Sequence, residues 1–187
     1  MVDSDITIIN KNGIKIIKLN QGTYSNTLSF QNDNYSIDKL INLDLLKLLF
    51  DINEQYYEFV NLEKINENEA KIIIVIKNLF QDMGVTQKYL NLNVNITRQE
   101  NIIIFNVTTI YEEPEYISQD IELIDIDTLV IICEIISSHT INIKSILNFD
   151  YVNETREYIP LFLEKILASI AVKILYNVKQ FIDNIIL

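Results

Sequence analysis

Residues 158–187 read YIPLFLEKILASIAVKILYNVKQFIDNIIL, and the spacing of their apolar side chains decides the fold. Ile159, Phe162, Leu163, Ile166, Leu167, Ile170, Ala171, Ile174, Leu175, Val178, Ile182 and Ile185 recur three and four residues apart, the period of one helix face. Lys165, Ser169, Lys173, Asn177, Gln180 and Asn184 form a narrow polar stripe opposite. Pro160 fits only in a first turn, where its missing N–H is not needed, so the helix is expected to begin near Ile159. The apolar arc is wider than one layer contact requires. The helix must therefore lie in a deep groove of a sheet or touch a second body as well. Lys165, Lys173 and Lys179 interrupt it, so no charge-free run approaches the roughly 18 residues that span a bilayer.

Outward from this helix, the chain alternates. In residues 140–151, Ile141, Ile143, Leu147 and Phe149 oppose Asn142, Lys144, Asn148 and Asp150, which places one strand face in the core and one in water. Residues 88–98 and 101–111 form the clearest hairpin, with Leu90, Leu92, Val94 and Ile96 alternating with Asn91, Asn93, Asn95 and Thr97. Residues 56–65 and 69–79 read as a further strand pair, and residues 128–136 as the partner of 140–151. Residues 36–52 place Ile37, Leu40, Ile41, Leu45, Leu48 and Leu49 on one helical face, with Ser36 as N-cap. Residues 5–19 read as a hairpin turning at Asn12-Gly13, or as one bent strand, and residues 20–35 as a polar loop. The expected fold is α+β: an antiparallel sheet of six to seven strands packed on a long C-terminal helix, with a second helix near 36–52. Residues 1–187 are read as a single domain in which residues 1–35 form a hairpin-and-loop appendage.

This element order is similar to the helix-grip arrangement of START-like and Bet v 1-like lipid-binding domains. The resemblance implies a curved antiparallel sheet wrapped around the C-terminal helix over a hydrophobic cavity; it carries no individual residue across. Those domains bend their sheets at glycines, and here only Gly13, Gly22 and Gly84 are present. That departure argues against a roomy cavity, since large Ile and Leu side chains tend to fill the space beneath the helix.

Composition narrows the function classes. Isoleucine makes up roughly a fifth of the chain and Asn is abundant, a bias traced more readily to an AT-rich genome than to chemistry. The net charge of -11 opposes binding to a phosphate backbone, so nucleic acid is not an expected direct partner. The single cysteine, Cys133, excludes an internal disulfide and fits a reducing, cytoplasmic setting. The N-terminus shows neither the basic nor the apolar region of a secretory signal.

No catalytic, cofactor-binding or metal-binding set emerges. His139 lies in a polar turn beside Ser137 and Ser138, where a nucleophile and its base rarely reach productive geometry. Cys133 sits in the apolar run LVIICEII and reads as an inert buried thiol. Glu112, Glu113 and Glu115 open an acidic stretch continuing to Asp127, whose spacing is not that of a calcium loop. It reads as a solvated edge that could face a basic partner.

Three runs, at residues 72–76, 102–105 and 129–133, are apolar on both faces and ask for cover on each. Together with the wide helix arc, they lead to an expected non-enzymatic structural or assembly protein, of the kind an AT-rich large DNA virus or phage encodes. It would act through protein contacts, as a homo-oligomer or in a larger assembly, in host cytoplasm or virion. The interaction residues would be Phe181, Ile182, Ile185 and Ile186 at the helix end, with Glu112, Glu113 and Glu115. The alternative is a helix-grip carrier of a hydrophobic small molecule or lipid.

Overall fold

The computed structural model describes residues 5–149 and 161–185, with side chains in the final helix from Glu164 onward. The expectations placed on Ile159, Pro160 and Ile186 lie outside the described residues. Among the described residues, ten strands form one sheet: β1 (Ile6–Lys11), β2 (Ile14–Asn20), β3 (Thr23–Gln31), β4 (Tyr57–Asn66), β5 (Glu69–Ile76), β6 (Lys88–Gln99), β7 (Ile102–Thr109), β8 (Glu122–Leu123), β9 (Ile126–Ser137) and β10 (Thr140–Phe149). The order across the sheet is β1-β2-β3-β10-β9-β7-β6-β5-β4. All pairings are antiparallel except that of the two-residue β8, which lies parallel to β6. The α+β class and the long C-terminal helix are as the pattern implies, but the strand count exceeds the expected six to seven.

Three of the ten strands come from residues 1–35. The Asn12-Gly13 turn does form a hairpin, with φ of 57° and 75° at the two positions, the left-handed pair that a two-residue turn between twisted strands requires. The stretch expected as a loop, however, contains β3, which pairs with β2 on one side and β10 on the other. β3 thus ties the β1–β2 hairpin, which forms one edge of the sheet, to β10.

The expected helix over 36–52 is divided. A short 3-10 turn covers Ile37–Leu40, and α1 proper runs Leu43–Ile52. Ser36 makes no side-chain cap; Asn42 does, accepting from the Asp44 N–H at 2.7 Å. Both α1 and α2 (Leu161–Asp183) lie on the same face of the sheet. Arg98 and Lys64 on that face reach the Ile41 carbonyl and the Asp44 carboxylate respectively, while Asn53 at the end of α1 donates to the Ile174 carbonyl of α2. The second body implied by the wide arc of α2 is thus α1 of the same chain. Between helices and sheet lies the core, including Ile16, Leu28, Phe30, Ile72, Leu92, Val94, Phe105, Cys133, Ile141, Val172 and Ile182.

The helices leave the opposite face of the sheet without cover. One part is shielded by residues 110–124, which leave β7 and return as β8. The Asn91 side chain donates to the Glu112 carbonyl, the Ile124 N–H donates to the Tyr89 carbonyl, and Tyr116 packs edge-on against Phe59 at 5.8 Å. Under this flap Val75 and Tyr89 are buried. Burial, with Glu113 nearby, raises the Tyr89 phenol above its ordinary pKa.

Candidate functional site

Helix α2 runs alongside β3 in the same direction, and three contacts fix the register. Tyr24 meets Glu164, the Ser29 carbonyl accepts from Lys179 Nζ at 2.6 Å, and the Gln31 N–H donates to Asp183 at 3.0 Å. Along this line, spacing of three and four turns Glu164, Ala168, Ala171, Leu175, Val178 and Ile182 toward the sheet. The last three are large and fill the groove. Ala168 and Ala171 present only methyl groups, and a cavity of about 170 Å³ remains opposite them.

The cavity wall is largely apolar. Ile8, Ile16, Leu147 and Phe149 line it from the sheet, and Leu167, Ala168 and Ala171 from the helix. Tyr24 and Phe149 stack edge to face at 6.0 Å. Its polar end is built from three elements. Glu164, only 8% exposed, receives Lys18 Nζ on Oε1 at 2.8 Å, and the Tyr24 hydroxyl donates to the same oxygen. A carboxylate buried without such partners would cost several kcal/mol, so this pairing is what allows a charge at the mouth of an apolar groove. Asn26, also on the wall, donates to Ser145 Oγ on the neighbouring strand.

A larger hollow of about 510 Å³ lies on the opposite face of the sheet. It is shallow, and its rim of Thr27, Glu134, Asn142 and Lys144 is exposed to solvent, so it encloses nothing.

The residues singled out from sequence fall elsewhere. Ile182 is buried in the chain's own core at 1% exposure, and Asn32 Nδ2 donates to the carbonyls of Ile182 at 2.7 Å and Ile185 at 3.0 Å. Phe181 is exposed. Glu112, Glu113 and Glu115 are exposed on the flap, far along the sheet from the end of α2, and the two groups do not converge. Further along, Lys88 holds the Glu122 carboxyl below the usual range through a hydrogen bond that ties β8 to β6.

Cys133 and His139 also stand apart. Burial pushes the Cys133 thiol up to about 12. The His139 Nδ1 lies 2.9 Å and 3.0 Å from the carbonyls of Asn32 and Tyr35, which requires a proton on that nitrogen. Ser137 Oγ accepts from the His139 backbone N–H at 3.2 Å, not from the ring.

Sequence reasoning missed Lys18, Tyr24, Glu164 and the alanine pair. Ala168 and Ala171, small residues three apart on an otherwise bulky stripe, were the available signal.

No family model matches the chain, and no curated protein matches it. Among solved structures, the lipid transfer and protein localization domain of human StarD13 superposes over 97% of this chain and 90% of its own, with a TM-score of 0.67 at 8% identity. Human StAR-related lipid transfer protein 5 matches over 97% and 88%, TM-score 0.67, 10% identity. The STAR-related lipid transfer protein fragment from Xanthomonas axonopodis matches over 96% and 99%, TM-score 0.64, 14% identity. These matches overturn the expectation of a viral structural or assembly protein: the architecture is that of proteins described as lipid transfer domains, and α1 occupies the helix arc that had suggested a homo-oligomer. The same matches agree with the helix-grip arrangement drawn from element order. Their low identities restrict the likeness to architecture, and the chain has the helix-grip fold of StAR-related lipid transfer domains.

Proposed function

We propose that the chain is a non-enzymatic carrier of a small hydrophobic molecule, held between the first half of α2 and β1, β2, β3 and β10. One observation carries the reading: an apolar cavity with a few convergent polar groups lies between sheet and C-terminal helix. The fold supports it, since the three solved relatives above are described as lipid transfer domains or proteins. Volume sets the ligand class. Drug-sized ligands occupy roughly 300–1,000 Å³, whereas an engineered apolar cavity of about 150 Å³ accepts benzene. At about 170 Å³ this cavity suits a single ring or a short branched chain, and a larger lipid requires the first half of α2 to move away from the sheet. Among the described residues no helix is long and apolar enough to cross a membrane, and a reducing, cytoplasmic setting suits the lone buried thiol.

The test is a benzene titration followed by two-dimensional NMR on the intact chain, with native mass spectrometry of the freshly purified protein. Saturable shifts confined to residues around Ala168, Ala171, Leu147 and Phe149 are expected. They should vanish in Ala171→Leu, whose longer side chain occupies the cavity. Linear, unsaturable shifts spread over the surface, with no bound small mass, would overturn the reading.

A further inference from the structure

The polar end of the cavity specifies more than hydrophobicity. Glu164 lines the space, and among the described residues only its Oε1 is engaged, by Lys18 and Tyr24. Carboxylates accept on two oxygens, each with two lone-pair directions, so the Glu164 carboxylate retains acceptor capacity on a residue that lines the cavity. Lys18 offsets the charge of Glu164. A cationic head would therefore meet an ammonium already in place, and an anionic head would meet a second carboxylate.

Resting on the carrier reading, we infer that the cavity selects a neutral, ring-sized apolar molecule bearing one hydrogen-bond donor, such as a phenolic or alcoholic hydroxyl, which donates to Glu164. The geometry assigns each part. Ile8, Ile16, Leu147 and Phe149 take the apolar body, and Ala168 and Ala171 give it room. Glu164 takes the hydroxyl, with Lys18 and Tyr24 holding its carboxylate to the sheet. The site lies where α2 starts, so a ligand that fits also fastens the half of the helix that small residues leave loosely packed.

Four probes of similar size separate the possibilities: benzene, fluorobenzene, phenol and benzoate, each titrated into the intact chain by NMR or calorimetry. Phenol should bind about tenfold more tightly than fluorobenzene, the gain of a hydrogen bond to a charged acceptor over an isostere without a donor. Benzoate should not bind. In Glu164→Gln, the advantage of phenol should fall to a few-fold while fluorobenzene binds as before. Equal affinity of phenol and fluorobenzene for the natural chain would overturn the inference and leave the carrier reading standing; Glu164 would then serve only to staple α2 to the sheet. Binding of benzoate as tight as that of phenol would overturn it too. Failure of all four probes to saturate would remove the carrier reading itself. The comparison on the natural chain needs no variant, so it holds even if Glu164→Gln folds poorly.

Discussion

The two halves of α2 are packed on opposite terms. From Leu175 onward the helix is driven into the sheet by Val178 and Ile182 and tied to β3 and its following loop by Lys179, Asp183 and two carbonyls bonded to Asn32. Before that point it faces a cavity across two alanines and is held by the buried Glu164, bonded to the half-buried Lys18 and Tyr24. The first kind of contact is dense and apolar; the second combines the buried Val172 with open space and a polar fastening. Close packing is therefore concentrated at one end of the helix, and the cavity lies at the other.

The largest effect that could break this contrast is removal of the anchored end. Truncation after Lys179 deletes Ile182 and Asp183 and leaves Asn32 without its carbonyl partners, so cooperative thermal unfolding followed by circular dichroism should be lost. Retention of a native melt would mean that the anchor is dispensable. Ile182→Ala should cost about 2–5 kcal/mol, through lost transfer energy and the cavity it leaves. Asn32→Ala should cost roughly 2–3 kcal/mol in urea unfolding, because its oxygen also accepts from the Asn34 and Tyr35 N–H groups and all four bonds go together. At the loose end, Ala171→Leu should cost less than Ile182→Ala, because its extra methyl groups enter open space, with loss of benzene binding as its main consequence. A destabilisation as large as that of Ile182→Ala would show the first half of α2 to be as tightly packed as the second. Phe181→Ser, on the exposed side of the anchored end, should stay within about 0.5 kcal/mol.

Periodicity made α2 legible, because its apolar spacing persists over more than six turns. β3 was not legible, and the reason is specific. Tyr24, Asn26, Leu28 and Phe30 face the helices while Thr27 and Ser29 face away, so the alternation exists. Asn26 breaks its apolar phase, and only the hydroxyl of Ser145 on a strand more than a hundred residues later makes that position tolerable. The division of the 36–52 helix turns on Asn42, whose cap competes with the helical period that continues through it. The site was hidden for a different reason. Lys18 and Tyr24 are 146 and 140 residues from Glu164, and no local pattern encodes a meeting over that span.

The pairing of β3 with β10 also sets the order in which the molecule can assemble. Thr23 is registered opposite Asn148 and Gln31 opposite Thr140, so an early strand gains its central neighbour only when nearly all of the chain is available. Contacts of such long sequence separation carry a large loop-closure cost before they give any return, and they slow folding relative to local hairpins. During synthesis, the hairpins β4–β5 and β6–β7 can form as soon as they emerge. β1, β2 and β3 must wait with an open edge until β10 arrives, and α2 closes over the seam last. The interval between those events is when an incomplete chain exposes unpaired strand backbone to its neighbours.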